Sequence, residues 1–191
     1  MLYSVDKVGA VFSPDYKIQF SKALLKRIES KHKEENVKQS VAAYLLLGEL
    51  LKDSGYSLKN IQFYDNGKPY IKNGPNISVS HTGGFVCAAV SDMKVGIDAE
   101  LIGEIRESVI NKFFNQNEID YITAENSNER FYTLWTVKEA ISTVSGGGVG
   151  EIRSINLDIS DGVISYENFN IVTEIRENCV ISVCFSEKTG F

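Results

Sequence analysis

Long apolar runs, clustered cysteines or histidines, and an excess of positive charge are all missing from this 191-residue chain. No apolar stretch approaches the ~20 residues that a membrane-spanning helix needs. Residues 1–6 carry neither the basic nor the apolar segment of a secretory leader. The expectation is a cytoplasmic protein with no membrane partner. The three cysteines, Cys87, Cys179 and Cys184, are an odd number and form no C-x-x-C pair. Cys87 lies in the apolar run 85–90, the setting of a small buried hydrophobe in a reducing compartment. Only His32 and His81 exist as histidines. Neither is clustered with a cysteine in the sequence, so zinc ligation and a Cys–His nucleophile lack support. A formal net charge of −5 speaks against a nucleic-acid partner. The phosphate loop G-x-x-x-x-G-K-[ST] is absent, no G-x-G-x-x-G follows a strand, and no G-x-S-x-G elbow supports a serine hydrolase.

What is present is an ordinary core composition, 43% apolar and 24% charged, enough for one sizeable domain or two small lobes. Alternation and helical periodicity predict a strand over 2–12, then helices over 17–30 and 34–52. Gly48 inside the second helix costs about 1 kcal/mol relative to alanine, which points to close packing there. Strands over 61–64 and 69–71 flank Asn66-Gly67, the signature of a two-residue hairpin turn. Three strand-like runs follow at 77–80, 85–90 and 95–100. Helices are predicted over 106–114, 116–124 and 128–144, the last stopped by Ser145-Gly146-Gly147-Gly148. Strands over 154–159, 163–167, 170–175 and 180–186 complete the chain. The order suggests an α+β protein of two similar lobes, residues 1–101 and 102–191, with no repeat at the residue level.

Two separated motifs carry the chemistry. In the strand Val95-Gly96-Ile97-Asp98-Ala99-Glu100, alternate side chains share a face, so Asp98 and Glu100 point the same way. If 77–80, 85–90 and 95–100 form a meander, both acids finish near His81. In the helix 131–140, Trp135 and Glu139 share a face and Lys138 projects alongside. By itself that helix reads as core side chains, Phe131, Leu134 and Trp135, beside a solvated Lys138-Glu139 pair. Magnesium, however, takes a few carboxylates plus phosphate and water oxygens, and three acids from two elements suit that demand. Lys68 at a hairpin tip is either solvated or within reach of an anion. Between Ser21 and Lys38 six basic residues outnumber three acidic ones. That stretch is a solvated helix face or a docking patch for an anion.

Gly67-Lys68-Pro69, Ser78-Val79-Ser80-His81, Gly96-Ile97-Asp98-Ala99-Glu100 and Trp135-Thr136-Val137-Lys138-Glu139-Ala140, in that order, resemble the 4′-phosphopantetheinyl transferases. The monomeric, two-lobed group that activates peptide synthetases is the best match, from about residue 26 to 159. The resemblance implies a pseudo-dimeric α+β fold, each lobe an antiparallel sheet with packed helices, and coenzyme A bound in the cleft between them. It implies transfer of the phosphopantetheine arm to a serine of an acyl or peptidyl carrier protein, by a monomer. By position it makes Asp98, Glu100 and Glu139 the magnesium ligands. Lys68, Pro69, Ser80 and His81 would contact the coenzyme, and the basic stretch, through Lys26, Lys33 and Lys38, would grip its 3′-phosphate. Lys138 would stabilise phosphoryl charge, and Glu139 or another base at the metal would take the serine proton. Two departures stand out: Thr143 replaces the lysine that usually ends the helix motif, and Ser145-Gly146-Gly147-Gly148 lacks another. Weaker coenzyme binding or slower transfer is the expectation. The alternatives are a relative that binds without turnover and a metal-dependent nucleotide pyrophosphatase.

Overall fold

The structure is a computed structural model that describes residues 1–105, 107–147 and 149–186. Arg106 and Gly148, which fall in the predicted helix start and glycine stop, lie outside the described residues. The first half runs β1 (Leu2–Lys7), α1 (Val8–Val11), α2 (Lys22–Glu29), α3 (Glu34–Leu51), β2 (Ile61–Phe63), β3 (Pro69–Ile71), β4 (Asn76–Thr82) and β5 (Phe85–Ser91). The second runs β6 (Lys94–Leu101), α4 (Glu107–Phe113), α5 (Gln116–Ala124), α6 (Ser127–Ser145), α7 (Val149–Ile152), β7 (Asp158–Ser160), β8 (Val163–Ser165), β9 (Phe169–Arg176) and β10 (Cys179–Ser186).

The two halves repeat one plan. Each opens with a strand, passes through helices to a long one, and closes with a short hairpin and a long one. The sheets match as well: β1-β5-β4 in one half and β6-β10-β9 in the other, all neighbours antiparallel. In each, the opening strand pairs with the last strand rather than the next. This is the α+β, two-lobed architecture expected from the sequence, with its origin in a repeated order of elements.

That pairing corrects two details. The runs at 77–80, 85–90 and 95–100 do not form a meander, because β6 leaves β5 and ladders onto β10. A lobe division after residue 101 therefore leaves β6 on the wrong side of its own sheet. The Asn66-Gly67 hairpin also differs from a two-residue turn. Gly67 N donates to Tyr64 O at 2.8 Å and Tyr64 N to Lys68 O at 3.0 Å, with Gly67 at φ +85°. These bonds describe a turn closed by a glycine bulge, the three-residue solution.

Long helices cover the outer sheet faces, and the inner faces share a core. Val5, Phe85, Cys87 and Ala89 from the first sheet pack with Val95, Ile97, Ala99, Cys179, Ile181 and Val183 from the second. All three cysteines are buried, and burial pushes the Cys87 and Cys179 thiols up. They are inert packing groups. Because side chains alternate along a strand, committing Ile97 and Ala99 to this core turns Gly96, Asp98 and Glu100 towards α6. No helix among the described residues is long and apolar enough to cross a membrane.

Candidate active site

The approach of α6 to β6 begins with Gly96. A Cβ there would stand 1.9 Å from the Ala140 carbonyl oxygen, so only glycine lets helix and strand come this close. Two and four residues on, Asp98 and Glu100 meet Glu139 of α6. One oxygen from each of the three carboxylates lies within 4.8 Å of the other two.

The strand β4 runs beside β6 and orients the acids through a stripe of hydroxyls. Ser78 Oγ accepts from Ile97 N at 3.1 Å, Ser80 Oγ donates to Asp98 Oδ1 at 2.8 Å, and Thr82 Oγ1 donates to Glu100 Oε2 at 3.1 Å. Residues 78, 80 and 82 share one strand face, and so do 98 and 100. The two strands thus run parallel, clasped by side chains. This alternation of hydroxyls was visible in the sequence as S-x-S-x-T and is the signal for an oriented acid pair.

The cluster is electrostatically incomplete. Asp98 is 8% exposed, and its Oδ2 is buried without a hydrogen-bond partner. Burial, partly offset by the Ser80 hydroxyl, raises the Asp98 pKa. Burial and the Asp98 charge raise that of Glu100. Glu139 is pushed up to about 9, by burial first and then by the charge of Asp98. Like charges gathered at low dielectric resist ionisation. Among the described residues no cation forms an ion pair with any of the three. An orphaned carboxylate oxygen inside a three-acid oxygen set fits a hard divalent cation.

Beside the cluster lies a cleft of about 370 Å³, walled by Arg27 and Lys31 from the α2 region, Ser40 and Tyr44 of α3, the hairpin residues 66–69, Ser80 and His81 of β4, and Thr143 and Gly146 at the end of α6. Of the residues expected from the sequence, Lys68, Pro69, Ser80 and His81 reach this wall. His81 Nε2 lies 3.2 Å from Ser40 Oγ. Burial first, then the Lys31 charge, lowers its pKa, so the imidazole is neutral and offers hydrogen bonds rather than charge. Thr143, at the position of the missing lysine, is a cleft residue.

Four expected residues lie elsewhere. Lys26, Lys33 and Lys38 are not on the cleft wall. In a helix, residue 26 is rotated about 200° from the buried Leu24, whereas Arg27 flanks the stripe formed by Leu24 and Ile28. Lys38 pairs with Glu34 on the exposed face of α3. Arg27 and Lys31, which lie in the basic stretch but were not among the three lysines singled out, are the cations of the cleft wall. Helix phase was the available signal for Arg27, whereas Lys31 lies beyond the end of α2.

Lys138 is the clearest correction. It is fully buried, not facing phosphate: its Nζ donates to Glu118 Oε2 and to Phe113 O, both at 2.8 Å, 4.7 Å from the Phe114 ring centroid. Adjacent residues on a helix point about 100° apart, so when Glu139 faces β6, Lys138 faces α5.

Residues 94–184, the span holding all three acids, match the model of the 4′-phosphopantetheinyl transferase superfamily. Similar proteins are the 4′-phosphopantetheinyl transferase gsp of Aneurinibacillus migulanus, 34% identical over 125 residues, and psf-1 of Bacillus pumilus, 36% identical over 89 residues. A third is the 4′-phosphopantetheinyl transferase ffp of Bacillus subtilis, 27% identical over 154 residues. The alignments cover 60%, 44% and 77% of this chain, and 52%, 38% and 66% of those proteins. The chain thus spans about half the length of these phosphopantetheinyl transferases.

Proposed function

We propose that this chain transfers the 4′-phosphopantetheine arm of coenzyme A to a serine hydroxyl of an acyl or peptidyl carrier protein, in the cytoplasm and as a monomer, with Mg²⁺ held by Asp98, Glu100 and Glu139. The observation that carries this reading is the convergence of those acids, one with an orphaned oxygen, beside a cleft walled by Arg27, Lys31 and a neutral His81. In a protein of net charge −5, that pairing of an acid cluster with local cations suits a diphosphate whose charge must be met from two sides.

The serine oxygen attacks the β-phosphorus of the coenzyme. A new P–O ester bond forms, the pyrophosphate bond breaks, and adenosine 3′,5′-bisphosphate leaves. Arg27 and Lys31 neutralise charge on the leaving bisphosphate, and the His81 imidazole donates a hydrogen bond to it. The serine proton passes to Glu139 or to another base at the cluster; general base help contributes about 10²–10⁴-fold. When bound, the cation supplies Lewis-acid stabilisation of the phosphoryl oxygens. Lys138, committed to Glu118, has no part in these steps. Thr143 and Gly146 add no charge to the cleft wall, so a weaker grip on the coenzyme than lysine would give is part of this reading.

The test is the mass of a carrier protein incubated with the chain, coenzyme A and Mg²⁺. Gain of the phosphopantetheine mass, lost in Asp98→Ala and Glu139→Ala, is the expected result. Coenzyme binding without product would select a non-catalytic relative. Nucleotide release without a carrier would select a pyrophosphatase.

A further inference from the structure

The helix that carries Glu139 is finished by the other lobe. The last carbonyls of a helix have no intrahelical donor, and those of α6 find theirs on the hairpin tip between β2 and β3. Lys68 Nζ donates to Val144 O at 2.5 Å, and Asn66 Nδ2 donates to Gly146 O at 3.0 Å. The tip is itself braced, since Asn66 Oδ1 accepts from Lys68 N at 3.1 Å. Gly146, at φ +79°, closes the helix in the left-handed conformation and sends its N–H back to Ser142 O. A lysine ammonium at a helix C-terminus also meets the negative end of the helix dipole. These contacts span 76 and 80 residues of sequence.

The geometry points to Asn66 and Lys68 as positioning residues, a clasp between the lobes that holds the end of α6, and with it Glu139, at the spacing where three carboxylates share one cation. Asp98 and Glu100 are fixed from below by the hydroxyls of β4. The third acid arrives on a helix whose close seat on β6 depends on a single glycine, and the clasp secures the far end of that seat. Lys68 therefore acts through the helix end, whatever further contact it makes in the cleft. This inference rests on the proposed cation-binding role of the acid cluster.

The test measures Mn²⁺ binding by titration calorimetry and amide exchange over residues 139–147, in the intact chain and in two variants. Asn66→Asp keeps the oxygen that braces the turn, removes the donor to Gly146, and sets a negative charge against the negative helix end. Lys68→Met keeps the apolar stem and removes the ammonium. The expected result is faster exchange in the last turn of α6 and Mn²⁺ binding about tenfold weaker in the double variant, at the low end of losses for residues that support metal ligands indirectly. Faster exchange with unchanged Mn²⁺ affinity would reduce the clasp to a local helix cap and overturn the positioning role. Unchanged exchange would overturn the clasp itself. A wild-type chain that takes up no Mn²⁺ would overturn both this inference and the cation reading beneath it, whereas failure of the clasp alone leaves wild-type uptake intact.

Discussion

Lys138 and Glu139 are neighbours on one helix and sit in opposite electrostatic worlds. Lys138 is buried in a satisfied network. Glu118 accepts its ammonium and also the N–H groups of Asn115 and Leu157, each at 2.8 Å, and Phe113 O takes a further donor hydrogen. Glu139 is half-buried among acids, with the unpartnered oxygen of the buried Asp98 beside it. Both arrangements place charge where charge is costly. Only the first completes its own bonding within the chain, and a buried group left incomplete is one that a ligand can complete. The contrast separates scaffold from site more reliably than the sequence motif, which holds both residues side by side.

The largest effect that would test this contrast lies on the acid side. Glu139→Gln should lower carrier-protein transfer on the order of 10³-fold, because cation binding contributes several kcal/mol of transition-state stabilisation. The same change relieves repulsion, so the metal-free protein should melt at the same temperature or higher. A variant that loses both activity and stability would break the distinction.

Lys138→Met should do the reverse. Removing one partner of a buried pair costs about 3–5 kcal/mol, read as a lower urea midpoint. Adding Glu118→Leu should recover only part of that loss, because Asn115 N and Leu157 N then lose their acceptor. If the folded fraction of Lys138→Met keeps near-normal transfer at saturating coenzyme, its role is scaffold alone.

The cations divide in the same way. Lys38 is paired with Glu34, whereas among the described residues Arg27 and Lys31 face the cleft without a carboxylate partner. Arg27→Ala or Lys31→Ala should weaken coenzyme A binding about tenfold each, the scale of one hydrogen bond to a charged group. Lys26→Ala, Lys33→Ala and Lys38→Ala should leave it unchanged. Titration calorimetry in fixed salt reads all five, and equal losses across the set would mean that the basic stretch acts as a diffuse field.

Sequence reading reached the acid triad because both motifs have short, rigid internal geometry. Period two puts Asp98 and Glu100 on one strand face, and helix phase isolates Glu139. It reached the two lobes because the order of elements repeats even where residues do not. It failed wherever the deciding partner was remote. The partner of β6 is β10, about eighty residues later, so local order suggested a meander. Glu118 lies twenty residues from Lys138 on another helix, so nothing near the motif marked the lysine as spoken for. The cleft cations are a different failure: Arg27 and Lys31 lie within the basic stretch, but the resemblance pointed to Lys26, Lys33 and Lys38, and helix phase, which turns Arg27 and not Lys26 towards the buried stripe of α2, was not used. The glycine in Val95-Gly96-Ile97 was legible as a residue and not as a distance, since its reason is a carbonyl on α6.

The smallest predicted effect is a slope. The Glu139 pKa rises from an ordinary carboxylate value of 4.5 to about 9 in the folded protein. Between those limits the folded state keeps a proton that the unfolded state has released, so the contribution to stability is full below pH 4.5 and is lost as pH rises towards 9. The raised Asp98 pKa acts in the same direction. Glu139→Gln cannot titrate, so the stability of wild type relative to this variant should fall with rising pH in the presence of a chelator. The cluster lies beside an open cleft, and water entering as it ionises limits the change to about 1 kcal/mol, less than one pKa unit of coupling. With Mn²⁺ present the sign reverses, because a cation displaces the proton and its affinity climbs with pH. Parallel stability curves for wild type and variant from pH 5 to 9, with metal affinity flat over the same range, would mean that Glu139 is solvated and independent of Asp98, and the contrast with Lys138 would lose its basis.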